Sequence, residues 1–204
     1  MAKTTIPKGG ITADAIDGTL IADDAINSEH YTDGSVDTAH VADSQITLAK
    51  TTGLAGSVVG QWRITSAFTG DAFPIASNWE ETDTSYSRLG SAMTQSSGVF
   101  TFPSTGIYMI LYQVNVELNG SESEPHSIID YTANNGSNWA GLARTSPGGT
   151  DDWGGSFVCG IFDVTNTTNY KVRFAQDFTN SSSEVKGDSA ITYTGATFIK
   201  LGDT

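Results

Sequence analysis

Along the first quarter of the chain, large apolar residues recur at every fifth position, with mostly small and polar residues between them. The apolar positions of this repeat are Ile11, Ile16, Ile21, Ile26, Tyr31, Val36, Val41 and Ile46. Five residues advance an α-helix by about 140°, which scatters the side chains around the axis. In a strand, side chains ten residues apart return to the same face. The pattern therefore predicts extended chain with a ten-residue unit, as in ITADAIDGTL and IADDAINSEH.

Residues 11–57 are predicted to form a stalk that requires partner chains. One apolar residue in five gives each extended piece a single narrow stripe, with no second layer to cover it. Three copies wound about a shared axis would bring these apolar residues together and bury them. Two alternatives stay open, a disordered acidic tail and a short β-helix of five-residue repeats. The register kept over eight successive apolar positions favours the trimeric stalk.

From residue 58 onward, the chain consists of short β-rich runs separated by Gly, Asn, Ser, Thr and Pro. These runs, with no helical stripe that begins at a capping residue, predict an all-β sandwich or barrel, most simply a jelly roll. The run GIYMILYQVNVEL is apolar on both faces through Leu111. We therefore expect it to be a central strand covered by more than its own sheet, or by another subunit. Asn119–Gly120 and Asn135–Gly136 predict hairpin turns.

Charge and composition exclude several classes of protein. The 204 residues include 23 acidic and 10 basic ones, a net charge of −13, which argues against a nucleic-acid partner. No run of eighteen apolar residues exists, and MAKTTIPKGG lacks the apolar core of a secretion signal. We therefore expect a soluble protein without membrane insertion that is not exported by that route. The single cysteine, Cys159 in SFVCGIF, is expected to be a buried small side chain.

Candidate catalytic and metal-binding residues are few. The acidic pairs Glu80–Glu81 and Asp151–Asp152 are adjacent in sequence, and no G-x-S-x-G motif occurs. We therefore expect a protein that is not an enzyme and has no cofactor. His30 and His40 occupy the same place in consecutive ten-residue units, so a three-chain stalk would turn each into a ring of imidazoles that could hold a metal or an anion. Solvent-exposed positions are favoured for both, and no metal is expected.

Three tryptophans and two lysines are candidates for contacts with partners. Trp79, Trp139 and Trp153 lie in the polar stretches ASNWEET, GSNWAGL and DDWGGS. Indole rings beside amides can stack on sugars, which makes these residues candidate glycan contacts, although they could equally seal subunit edges in a trimer. Lys3 and Lys8 contrast with the acidic remainder, which suits docking of the N-terminus onto an acidic surface.

The stretch FTFPSTGIYMILY resembles the signature of the C1q and tumour-necrosis-factor-like jelly rolls. The matching positions are Phe100, Gly106, Tyr108, Ile110 and Tyr112. The closing TGATFIKL, with Phe198, is similar to the last strand of that family, whereas Arg88 and Met93 depart from the upstream part of the signature. The resemblance implies a homotrimer with aromatic residues along the three-fold axis. It assigns core and trimer packing in the knob to Phe100, Tyr108, Ile110, Tyr112 and Phe198.

The ten-residue repeat resembles the short repeats of tail-fibre and other virion appendage proteins of tailed bacteriophages. Together the two resemblances imply a structural virion protein, assembled in the bacterial cytoplasm as a homotrimeric fibre or decoration. Residues 1–10 would attach to capsid or tail proteins, residues 11–57 would form the stalk, and residues 58–204 would form the knob. The alternative is a receptor-binding fibre tip that recognises host cell-surface polysaccharide.

Overall fold

The computed structural model describes residues 58–120, 122–148 and 152–204, together with the single positions Gly10, Tyr31, Val36 and Val41. The chain divides into two units, residues 1–50 and 51–204, and the fold set out below belongs to the second. Most of the predicted stalk therefore lies outside the described residues. Among those that are described, no helix is long and apolar enough to cross a membrane.

The described residues of the second unit form twelve strands. In chain order they are β1 (Val59–Ile64), β2 (Phe68–Thr69), β3 (Trp79–Glu81), β4 (Thr94–Ser96), β5 (Val99–Thr101), β6 (Gly106–Glu117), β7 (His126–Thr132), β8 (Ala140–Thr145), β9 (Trp153–Val164), β10 (Lys171–Asp177), β11 (Glu184–Val185) and β12 (Gly195–Gly202).

The strands form two antiparallel sheets, one of seven and one of five strands. The seven-stranded sheet runs β2-β11-β6-β12-β1-β3, and β9 pairs with β6 along its whole length. The five-stranded sheet runs β4-β5-β10-β7-β8. Consecutive strands often lie in different sheets, because β6 leads across to β7 and β9 leads across to β10. The two sheets thus form a sandwich with the crossing connections of a jelly roll.

Aromatic side chains from both sheets fill the space between them. The Phe100 ring lies at the centre, with ring-centroid distances of 5.4 Å to Trp62, 5.1 Å to Trp79, 5.4 Å to Phe174 and 5.4 Å to Phe198. Several of these contacts are edge-on, the arrangement that aromatic rings prefer. The alternating pattern of each strand directs these rings inward, so the core depends on their interdigitation.

Two of the connections differ in kind, although both contain Asn-Gly. Asn135 and Gly136, with φ of 57° and 88°, lie in the loop between β7 and β8, which pair as a hairpin. The hairpin predicted at Asn119–Gly120 is wrong, because β6 and β7 belong to different sheets and the chain crosses between them there. A local turn signal cannot distinguish a hairpin from a crossover, since both require the same backbone reversal.

The buried carboxylate of Glu122 holds this crossover against the 179–183 segment. It accepts hydrogen bonds from the backbone N–H of Thr179 (2.7 Å) and Asn180 (2.9 Å) and from the Ser183 hydroxyl (3.1 Å). Burial by itself raises the pKa of Glu122, but these hydrogen bonds outweigh it and hold the pKa below its ordinary value. The ionised carboxylate is therefore the form that stabilises this end of the sandwich.

We predict that Phe100→Ala lowers the free energy of unfolding by about 3–5 kcal/mol, because it leaves a cavity among four aromatic rings. The neighbouring Thr101→Ala, whose side chain points away from the core, should cost less than about 1 kcal/mol. Urea denaturation at one fixed protein concentration measures both. A loss below about 1 kcal/mol for Phe100→Ala would show that the core does not depend on this ring.

We predict that Glu122→Gln lowers the melting temperature near neutral pH by about 2–6 °C, because a neutral amide replaces a charged acceptor. A group whose pKa is lowered by folding stabilises the fold above its unfolded pKa and loses that contribution as the pH falls through its folded pKa. The difference between wild type and variant should therefore shrink as the pH falls below 4.5, the ordinary value for this carboxyl. Glu124→Gln, at an exposed position, is the control. If the difference in melting temperature between wild type and Glu122→Gln did not change with pH, the ionised carboxylate would not be the stabilising form.

Candidate functional site

The outer side of the seven-stranded sheet carries a continuous group of apolar side chains. Along β6 the even-numbered residues are buried between the sheets, and the odd-numbered ones point to the other side. Strand β9 alternates in the same way, with buried Val158 and Phe162 against outward Phe157 and Ile161. Because β9 pairs with β6 without a register shift, the outward residues of the two strands lie next to each other.

Strand register extends this group across four strands. One row consists of Ile161 on β9, Met109 on β6, Ile199 on β12 and Val59 on β1. The next row begins with Cys159 and Leu111. We call the following set the apolar face: Ile107, Met109, Leu111, Phe157, Cys159, Ile161 and Ile199.

Within the described part of the single chain, the β9 residues of the apolar face are exposed and those of β6 and β12 are half-buried. Phe157 is 58% exposed and Ile161 is 54% exposed. Burying such a side chain is worth about 1.5–3 kcal/mol. Isolated exposed apolar residues are common on soluble proteins, but contiguous ones across neighbouring strands mark an interaction surface. The apolar face is therefore the strongest candidate functional site on the knob.

Charged and aromatic residues border the apolar face where β6 ends and β9 begins. Trp153 is cross-strand from Glu117, and the Lys186 ammonium lies 4.7 Å from the centroid of its indole ring. The same ammonium forms ion pairs with Glu117 and Glu184. Burial by itself lowers the pKa of Lys186, but the two carboxylates outweigh this and raise it. Lys186 therefore stays charged and holds Trp153 at the rim of the face.

The five knob residues named from the family resemblance all lie between the two sheets. Phe100, Tyr108, Ile110, Tyr112 and Phe198 are completely buried within one chain. They therefore form the core but cannot contact another subunit, so the trimer-packing half of that expectation is wrong for them. The outward residues of the same strands are the ones available to a second copy. Burial also raises the pKa of the Tyr112 hydroxyl.

The three candidate tryptophans lie in three different environments. Trp79 is buried in the core, where its indole N–H donates to the carbonyl of Ile75 at 2.7 Å. The glycan contact expected for Trp79 is therefore wrong, since a polar sequence context concealed a strand residue. Trp153 is exposed at the rim of the apolar face, and half-buried Trp139 lies on the five-stranded sheet. Of the three candidates, Trp139 is therefore the one that is partly accessible away from the apolar face.

Cys159 and its neighbours were missed by the sequence reasoning. The thiol was expected to be buried, but it is exposed and belongs to the apolar face. The signal was present in SFVCGIF, which is apolar at both odd and even positions. A strand with apolar residues on both faces needs a cover on both, and residues 58–204, as far as they are described, supply one.

Several predicted residues lie outside the described residues or are described only as single positions. Lys3, Lys8, His30, His40, Ile11, Ile16, Ile21, Ile26 and Ile46 lie outside them. In the single chain Tyr31 and Val36 are exposed, and Val41 is half-buried. Among the described residues, no three His, Cys, Asp or Glu side chains come together in a group that could hold a metal ion.

Comparison with known proteins identifies the fold. No family model and no curated protein matches the chain. Among solved structures, murine APRIL matches with a TM-score of 0.50 and 13% identity, covering 71% of this chain and 98% of that one. The Eiger TNF of S. frugiperda matches with a TM-score of 0.51 and 12% identity, covering 72% of this chain and 94% of that one. The chain has a tumour-necrosis-factor-like jelly-roll fold. The predicted all-β jelly-roll sandwich is thus confirmed, and at these identities the likeness concerns the fold alone.

Proposed function

We propose that this protein is a non-enzymatic structural component of a bacteriophage particle, a homotrimeric fibre or decoration with residues 58–204 as its knob. The observation that supports assembly is the apolar face, which the described residues of a single chain leave at least partly exposed. A second and a third copy of the same chain supply matching apolar surface without any further partner.

The apolar face and the five-residue repeat together support a cyclic assembly of parallel chains. The repeat needs parallel chains in register, since one apolar residue in five covers nothing by itself. Parallel copies of one chain are related by rotation about a shared axis. In such a cyclic oligomer each copy contacts its neighbours on both sides, so no copy has an unpaired contact surface. Cyclic assemblies of different size meet both conditions, and the family resemblance favours three copies.

The virion role is supported by the repeat and by the charge distribution. The repeat resembles those of bacteriophage appendage proteins, and Lys3 and Lys8 lie in an otherwise acidic chain. We propose that residues 1–10 dock onto capsid or tail proteins and that the knob projects outward. Assembly would take place in the bacterial cytoplasm, with the finished protein carried on the virion.

A second role, as a receptor-binding fibre tip for host polysaccharide, is supported by one observation. Trp139 lies on the five-stranded sheet, and the apolar face lies on the other sheet. A trimer joined through the apolar face would therefore leave Trp139 accessible.

We predict that assembly protects the Cys159 thiol from reagents. In the native protein a maleimide should label Cys159 at least about tenfold more slowly than in urea, because the apolar face is covered. Ile161→Lys places three ammonium groups against apolar surface in a trimer, so it should separate the subunits and restore fast labelling.

Ser96→Lys adds the same charge at an exposed position of the five-stranded sheet and serves as the matched control. Circular dichroism of each variant shows whether the sandwich is intact. Labelling of the native protein as fast as in urea, with the sandwich folded, would contradict coverage of the apolar face.

We predict that deletion of residues 1–10 leaves a folded trimer that is not incorporated into phage particles. Lys3→Gln with Lys8→Gln removes only the two charges, and it should reduce incorporation if the docking surface is acidic. Incorporation is measured by quantifying the protein in purified particles against a major structural protein. Full incorporation of the deletion variant would exclude N-terminal docking.

A further inference from the structure

The outer side of the five-stranded sheet contains a cleft of about 430 Å³ beside Trp139. Its floor is formed by outward residues of β4, β5 and β10, where Thr94, Thr101 and Lys171 lie in one cross-strand row. The loop between β7 and β8, with Asn135 and Trp139, forms its wall. This volume lies in the range of small-ligand sites, about 300–1,000 Å³. None of these residues belongs to the apolar face.

The loop that forms the wall is held by its own hydrogen bonds. The buried Thr132 hydroxyl accepts from the backbone N–H of Asn134 at 3.3 Å and of Gly136 at 3.0 Å, and it donates to the Asn134 side chain at 2.8 Å. That side chain also accepts from the backbone N–H of Asn138 at 2.9 Å. The loop is therefore ordered before any ligand arrives, which lowers the entropic cost of binding.

Trp139 is likewise fixed in place. Its ring is stacked on the guanidinium of Arg173, whose central carbon lies 4.4 Å from the ring centroid. Arg173 is in turn fixed by Asp130, with its Nε 3.0 Å from a carboxylate oxygen. One face of the indole thus lies against a paired cation, and the half-buried ring also borders the cleft. A rigid aromatic surface of this kind suits the apolar C–H face of a pyranose ring.

Lys171 gives the cleft its charge. Along β10 it is two residues from Arg173, on the same face of the sheet and about 6.6 Å away along the strand. That spacing is comparable to the width of one sugar ring. Lys171 has no ion-pair partner within the described part of the chain, although the protein carries a net charge of −13. Thr101 lies next to it in the cross-strand row and Thr94 lies one strand further on, and their hydroxyl groups can bind the hydroxyls of a sugar.

We propose that this cleft binds an acidic saccharide, with a pyranose ring stacked on Trp139 and its carboxylate paired with Lys171. The inference extends the receptor-binding role suggested above and rests on that role for its biological meaning. The geometry of the cleft does not depend on assembly, since every residue in it comes from one chain.

Two oligosaccharides with the same backbone test the proposal. Cellohexaose and a hexamer of β-1,4-linked glucuronic acid differ only in the group at C6, a hydroxymethyl in one and a carboxylate in the other. Calorimetric titration of the full-length protein should show binding of the glucuronate hexamer at least about tenfold tighter than that of cellohexaose. The preference should weaken with added salt, because the contact is charged and partly exposed.

Three variants locate the site, and a fourth is the control. Trp139→Ala should weaken binding of the glucuronate hexamer at least about tenfold, while Trp139→Phe retains part of it. Lys171→Gln should abolish the preference for the acidic hexamer. Trp153→Ala removes an exposed indole from the other sheet and should leave binding unchanged.

Lack of binding by either hexamer at millimolar concentration would overturn the proposal, and so would unchanged binding by Trp139→Ala. Equal affinities for the two hexamers would exclude the acidic class. The labelling of Cys159 reports on assembly separately, so failure of the saccharide site and failure of the trimer are distinguishable.

Discussion

Strand β6 bears large apolar side chains on both of its faces, and the rest of the structure depends on how each face is covered. Its inward residues, Tyr108, Ile110 and Tyr112, are covered by the five-stranded sheet and build the core. Among the described residues of a single chain, no layer lies above its outward residues or those of β9 and β12. The hydrophobic effect acts equally on both faces, and we propose that other copies of the chain cover the second. In this proposal one strand links folding to assembly.

Much of the fold could be predicted from the sequence, because the information that determines it is local. A long apolar run marks β6, alternating apolar residues mark β10, and the aromatic signature around Phe100 indicates the jelly roll. The site was harder to predict, because it depends on strands that are distant in sequence. That Met109 lies between Ile161 and Ile199 follows from register across three strands, which no local pattern contains. The exposure of Cys159, in contrast, had a local signal, because SFVCGIF is apolar at both odd and even positions.

The three tryptophans illustrate the limit of reasoning from sequence context. Trp79, Trp139 and Trp153 all have polar neighbours in sequence, yet they lie in the core, on the five-stranded sheet and at the rim of the apolar face. Pairing of β3 with β1 buries Trp79, and an ion pair under the ring positions Trp139. We therefore assign the proposed assembly to the seven-stranded sheet and the proposed saccharide binding to the five-stranded sheet.

We propose above that copies of this chain cover one another's apolar faces. Light scattering of the full-length protein, with dilution over a hundredfold range of concentration, measures this most directly. A homotrimer held together by its apolar faces should show a constant mass of about three chains of 21.5 kDa each. A folded species with the mass of one chain at every concentration would contradict it, because the apolar face would then be stable in water without a partner.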